Sequence, residues 1–377
     1  MLTAVIAELN PLHSGHEFLM KSAKSSEGLI VILSSNFTQR GSPSITDKFT
    51  RAENAIMAGA DLVVELPFLY ACSAGNIFAD GACQILAGLG CVSRIVFGVE
   101  DDNFDVERLA DVMMTETFGE FLRAEMKNGC SYAKACSISA EKILPGSGDF
   151  LSRPNNTLAL SYVTSIKRGN YHIETRAVKR TGIFSSKTIR ENIIGSLHLM
   201  PDYSRKSIIE SQKNGRISSE SKLWPLIQCV LNRSSPSELR DIYGVDEGIE
   251  NLMLKKWRAS SSFDDFIGKC VCSRYTRSHI RRLTIYILLG LKRDDAVKSA
   301  VPYARVLAFN ERGREILRQC RKSSSIPIIT SLKYAQGSTG KFFAQVEQRA
   351  TQLHEITMNC PDMTRESHEV LKFPQKF

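Results

Sequence analysis

LTAVIAELNPLHSGHEFLMKSAK, residues 2–24, decides how the rest of the chain is read. Leu2–Ala7 is an apolar run of buried-strand length, an Asn-Pro turn follows, and apolar residues then recur at helical spacing. Strand, turn and helix in that order open a βαβ unit, and ligands of such sheets bind beyond the carboxyl ends of the strands. His13-Ser14-Gly15-His16 falls at that point. The helix N-terminus offers unpaired N–H groups and the positive end of its dipole, which favours phosphate. Gly15 lets a ligand approach the backbone closely. Two imidazoles three residues apart can both donate hydrogen bonds to one phosphate as it spreads charge during attack at phosphorus. The same residues also read as a turn with two solvated histidines.

Working outward, Leu29–Leu33, Asp61–Leu66 and Ser93–Gly98 are β-branched runs of strand length, separated by helical patterns over Thr46–Ala58 and Ala79–Leu89. A further strand is expected over Tyr171–Val178, after a loop at Asp149–Asn156 and a helix at Thr157–Ile166. This alternation predicts right-handed crossovers and a parallel sheet covered on both faces. Beyond Pro201, strand signals are nearly absent and helical spacing dominates in Lys222–Asn232, Ser237–Tyr243, Arg277–Leu289 and Glu311–Cys320. The fold class expected is α/β: a Rossmann-like parallel-sheet domain over residues 1–200, then a mainly helical domain over 201–335. Residues 336–377 read as a polar C-terminal tail whose order the sequence leaves open.

Composition narrows the class. The ten cysteines include no CxxC pair, so no zinc site is visible and free thiols in a reducing cytosol are expected. The N-terminus shows neither a basic n-region nor an apolar h-region, and no stretch has membrane-spanning length, so a cytoplasmic protein is expected. Residues 1–150 hold 11 Lys and Arg against 19 Asp and Glu, whereas residues 151–377 hold 38 against 21. The basic half suits a polyanionic partner, or is simply a solvated basic surface.

HxGH after a first strand resembles the signature of the nucleotidyltransferase superfamily that includes class I aminoacyl-tRNA synthetases. The surrounding residues narrow the resemblance to the tRNA(Met) cytidine acetate ligases: AELNPLHSGH, SSNFTQRGSP (Ser34–Pro43), GADLVVELPF (Gly59–Phe68), FGVE (Phe97–Glu100), RPNNTLALSY (Arg153–Tyr162), SRYTRSHIRRLTIYILLG (Ser273–Gly290) and YARVLAFNERGREIL (Tyr303–Leu317). The resemblance implies an ATP-dependent ligase. It would activate acetate as acetyl-adenylate and transfer the acetyl group to the wobble cytidine of elongator tRNA(Met), giving N4-acetylcytidine. Mg2+ would accompany the ATP with no protein ligand motif, and the sequence leaves oligomeric state open. The alternative is a small-molecule adenylyl- or cytidylyltransferase, which shares the HxGH chemistry but does not need the basic helical half.

Carried over residue by residue, the resemblance makes His13, His16, Arg180, Ser185 and Arg190 catalytic. Ile6, Ala7, Glu8, Asn10, Pro11, Gly15, Leu19, Gly98, Asn155 and Arg180 would cradle ATP. Gln39 and Arg40 would line the acceptor or acetate pocket, with Lys48 and Arg51 nearby as added positive potential or as an exposed helix face. Arg274, Arg277 and Arg281, spaced to share a helical face with Arg282 beside them, would grip the tRNA. The connector Thr181–Phe184 is shorter than expected for the family, which bears on how the Ser185–Arg190 segment closes.

Overall fold

The computed structural model describes residues 1–101, 103–180, 186–272, 274–295, 300–367 and 371–372. Strands β1 (Thr3–Ala7), β2 (Leu29–Ser34), β3 (Leu62–Leu66), β4 (Arg94–Val99) and β5 (Glu174–Lys179) form a parallel sheet in the order β5-β4-β1-β2-β3. The chain builds outward from β1 to β3, then crosses back to lay β4 on the other side of β1. Strand order therefore reverses between β1 and β4, which opens a crevice at their carboxyl ends.

Side chains alternate between two cores, as the period of two requires. Ala4, Ile6, Ile30, Ile32, Leu62 and Val64 enter one cluster, while Val5, Val31, Leu33 and Val63 enter the other. The second core is closed by helix α1 (Ser14–Ala23) and helix α2 (Lys48–Met57) through Met20, Ala23, Phe49, Ala52 and Ala55. The first is covered by helix α3 (Gly75–Leu89) and helix α4 (Pro154–Arg168), and it runs on into the helical region after residue 223.

Three expectations are corrected here. Residues beyond 201 are not strand-free: β6 (Ala304–Phe309) joins β3 antiparallel, and β7 (Ile328–Ile329) and β8 (Leu371–Lys372) pair with β6. The run ARVLAF hid this strand because Arg305 interrupts it, yet Arg305 is buried in an ion pair with Glu65 at 3.2 Å and another with Glu366. The polar tail also contains a 20-residue helix, Gly337–Ile356, with Phe343, Val346, Ala350 and Leu353 in the core. Finally, Cys91 and Cys320 are disulfide-bonded across 229 residues, a pairing that only the packed fold creates; the remaining eight cysteines are free.

Lys48 and Arg51 are fully buried, neither on a solvated face nor in a pocket. Lys48 pairs with Glu347 and Glu366, each at 2.9 Å, and with Glu65. Burial works to lower its pKa, but those carboxylates outweigh burial and hold it above the usual lysine range. Two cations face three acids, and burial with the Glu65 charge pushes Glu347 up to about 8. Removing one partner of such a cluster leaves uncompensated buried charge. Lys48→Met is expected to lower unfolding free energy by about 3–5 kcal/mol, read as a shifted guanidinium midpoint with unchanged slope.

Candidate active site at the carboxyl ends of the strands

A cleft of about 1340 Å3 opens over the reversal point between β1 and β4. Its floor is the β1–α1 connection. Leu9 there adopts a left-handed conformation, φ 49°, with its side chain buried in the second core. A buried Arg51 holds the turn by donating to the carbonyls of Glu8 at 2.7 Å, Ser34 at 3.1 Å and Ser35 at 2.6 Å. Its guanidinium thus ties the ends of β1 and β2 together. Asn10 is also pinned: its Oδ1 accepts from Ile45 N at 2.7 Å, and its carbonyl accepts from Arg190 at 2.8 Å.

His13 is the N-cap of α1. Its Nδ1 accepts from Gly15 N at 3.1 Å, and His16 Nδ1 accepts in return from His13 N at 3.3 Å. This is a capping box written with imidazoles. The rings stack with centroids 3.9 Å apart. Each Nδ1 is an acceptor, so in the neutral ring the proton resides on Nε2 and both Nε2 atoms are donors. Burial, then the Arg180 charge, pushes His13 down to about 4. Burial, His13 and Arg180 together hold His16 well below the usual histidine range. At neutral pH the pair acts as two uncharged donors. His13 Nε2 and Asn10 Nδ2 are buried donors with no partner among the described residues, both in the floor of the cleft.

The opposite wall comes from β4, β5 and α4. Arg180 N donates to Val99 O at 2.9 Å, and the Arg180 stem lies over Gly98, where a Cβ would approach its Cγ to 3.2 Å. Glycine at position 98 thus leaves room for that arginine. Asn155 donates its amide to Glu100 Oε1, and Asn156 N donates to Glu100 Oε2 at 3.1 Å.

The far end is built by the loop after β2 and by helix α5 (Arg277–Leu289). Gln39 N donates to Glu8 Oε1 at 2.8 Å, and Arg282 donates to Gln39 O at 3.0 Å. Gly41 has φ +79°, and a Cβ there would lie 2.5 Å from Arg282 N, so only glycine lets the loop seat against the helix. Arg40 points into the cleft from the exposed rim.

Of the expected ATP and catalytic residues, Ile6, Ala7, Glu8, Asn10, His13, Gly15, His16, Leu19, Gly98, Asn155, Arg180 and Arg190 all line this one cleft, as do Gln39 and Arg40. Pro11 does not; it is buried behind the turn. Ser185 and the connector 181–184 lie outside the described residues, while Ser186, Lys187 and Arg190 line the cleft.

The four arginines expected on one helical face divide. Arg277 and Arg281 line the cleft, paired with Asp264, and Arg281 reaches Glu220 at 3.0 Å. Arg282 turns to the Gln39 loop, and Arg274 precedes the helix, which starts at Arg277 under a Thr276 cap. Sequence reasoning missed Glu100, Asp264 and His198, all cleft residues. Only Glu100 carried a signal, the FGVE motif.

A parallel sheet whose first turn carries HxGH over such a cleft defines a nucleotidyltransferase, and the family described as HIGH Nucleotidyl Transferase matches residues 1–369. A tRNA(Met) cytidine acetate ligase from Clostridium perfringens is 34% identical over 372 residues, covering 90% of this chain and 91% of that protein. One from Thermoanaerobacter sp. (strain X514) is 32% identical over 358 residues, with 88% of each chain covered. The crystal structure of Thermotoga maritima TmcAL bound with alpha-thio ATP superposes with a TM-score of 0.90 at 26% identity, over 99% of this chain and 100% of that one. The chain belongs to the tRNA(Met) cytidine acetate ligase family. No helix among the described residues is long and apolar enough to cross a membrane.

The cap geometry is testable directly. In nitrogen-resolved NMR of the ligand-free protein, both rings are expected as the Nε2–H tautomer with no titration between pH 6 and 8, and His13 with a midpoint near 4. Because that value lies below the unfolded reference of about 6.5, the unfolded chain takes up the proton first as pH falls. Stability contributed by the neutral ring is therefore present above about pH 6.5 and is lost as pH drops toward 4. A midpoint between 6 and 7 would remove the neutral-donor assignment.

Proposed function

We propose that the chain joins acetate to the N4 amine of the wobble cytidine in elongator tRNA(Met), consuming ATP. In the first step an acetate oxygen attacks the α-phosphorus of ATP, forming acetyl-adenylate and releasing pyrophosphate. In the second, the cytidine amine attacks the acetyl carbonyl, the amine proton leaves, and AMP departs. Each partner is sluggish by itself: acetate is a poor electrophile, and the cytosine amine is amide-like and a poor nucleophile. Adenylation creates the leaving group, and one cleft holding both partners removes much of the entropic barrier.

The observation that carries this reading is the orphaned, buried Nε2–H of His13 beside the Asn10 amide, at the N-terminus of α1. Donors fixed before the substrate arrives stabilise charge as it develops on phosphate oxygens. Arg180 and Arg190 add full positive charge from the two flanking walls, which the neutral imidazoles do not. Among the described residues no three His, Cys, Asp or Glu side chains converge on a metal position. Mg2+ in this reading therefore arrives as part of the ATP complex, and no step is assigned to it. At about 1340 Å3 the cleft exceeds the roughly 300–1,000 Å3 of a small-molecule site, which suits a nucleotide at one end and a flipped-out base at the other. Arg277 and Arg281 line that second end, held by carboxylates in partly exposed ion pairs that are weak enough to exchange for RNA phosphates.

The deciding assay supplies ATP, radiolabelled acetate and unmodified elongator tRNA(Met), then digests the RNA to nucleosides. Label in N4-acetylcytidine is expected; turnover of ATP only with a small phosphorylated acceptor would overturn the reading. His16→Gln keeps a capping side chain at the third helical position but removes the imidazole donor. It is expected to slow acetyl-adenylate formation by about 10²–10³ with tRNA affinity retained. Replacing Arg277 and Arg281 together by Gln is expected instead to weaken tRNA binding and reduce the slope of log affinity against log salt by about 2, leaving acetyl-adenylate formation in the absence of tRNA within about twofold.

A further inference from the structure

The N-terminus of α4 is occupied by the chain's own acid. Glu100 follows β4 directly, and its carboxylate accepts from the N–H of the third residue of α4, Asn156 N at 3.1 Å. Asn156 locks it in return: Asn156 Oδ1 accepts from Glu100 N at 2.8 Å, and Asn156 Nδ2 donates to Phe150 O at 3.1 Å. Asn156 is fully buried, so this reciprocal pair is a rigid joint between β4 and α4. A carboxylate already fills the anion position at this helix start, while the start of α1 keeps its orphaned donors.

The other oxygen of Glu100 accepts from Asn155 Nδ2. A carboxylate only accepts, so the amide cannot be turned round, and Asn155 must face it with its NH2 end. Among the described residues nothing donates to Asn155 Oδ1, and Asn155 lines the cleft beside Gly98 and Arg180. We infer that Glu100 is a positioning residue that fixes Asn155 with its carbonyl oxygen toward the ligand, so that the site selects a nucleotide presenting a hydrogen-bond donor there. In ATP that donor is either the exocyclic amine of adenine or a ribose hydroxyl. A site with a fixed acceptor disfavours the analogue lacking the donor, because the bound nucleotide then covers that half-buried oxygen without pairing it.

This rests on the reading of the cleft as an ATP site, and the experiment separates the two. Dissociation constants are measured on the full chain, without acetate or tRNA, for ATP, inosine triphosphate, 2′-deoxyATP and 3′-deoxyATP. The wild type is expected to favour ATP by about tenfold over at least one analogue. Preference over inosine triphosphate assigns the amine, and preference over a deoxy analogue assigns the ribose. Glu100→Ala frees the amide and is expected to bring that preference within about threefold of unity. Asn155→Ala, which leaves Glu100 capping α4, is expected to do the same. If Glu100→Ala does not fold, Glu100→Gln serves: one oxygen stays for Asn156 N, its NH2 turns the Asn155 amide round, and the preference must fall at least threefold. Wild-type protein binding all four nucleotides equally overturns this inference alone, as does a Glu100 variant that keeps the full preference. Failure to bind ATP at all overturns both.

Discussion

The reciprocal cap at the start of α1 joins fold and chemistry in one contact. A helix needs its first N–H groups satisfied, and here the acceptors are ring nitrogens in place of the usual hydroxyl or carboxylate. Accepting at Nδ1 decides where each ring keeps its proton, so the same hydrogen bonds that begin the helix aim two Nε2 donors at the cleft. Stacking at 3.9 Å and burial keep the pair uncharged. An uncharged donor costs less to bury than a charged one, and the neighbouring arginines carry the positive charge on longer, adjustable stems.

The cap is held in place from behind. Arg51 gathers the carbonyls at the ends of β1 and β2, and Arg190 holds the Asn10 carbonyl from across the cleft. Deeper still, Lys48, Arg305 and three glutamates bind β3, β6, α2 and the helix Gly337–Ile356 into one ionic cluster. Such clusters specify geometry more than they add stability, since desolvating each charge offsets most of the attraction. Their effect here is to fix the sheet beneath the cleft using residues from both ends of the sequence.

Much of this was legible. Helix Arg277–Leu289 was bounded to the residue, and β1, β2, β3 and β4 lie within one or two residues of the apolar runs that announced them. Local periodicity reports local structure well when one face or both faces are apolar. What escaped notice depended on distant partners. Arg305 broke the pattern of β6 because its neutralising acids lie at positions 65 and 366. Lys48 and Arg51 looked like a solvated face for the same reason. Arg274 shared a helical spacing with Arg277 and Arg281, but the Thr276 cap starts the helix after it. Glu100 escaped because an acid beside a presumed phosphate site reads as misplaced until α4 is seen to use it as a cap.

The pairing of β6 with β3 also sets an order of events during synthesis. Leu66 emerges from the ribosome about 240 residues before Arg305 and roughly 300 before Glu366, an interval of about 15–60 s at ordinary translation rates. Until β6 is made, the nascent sheet ends in an open β3 edge whose Lys48–Glu65 pair still lacks Arg305, Glu347 and Glu366, the kind of edge that recruits foreign strands. The α/β half of this enzyme therefore matures last at its own border.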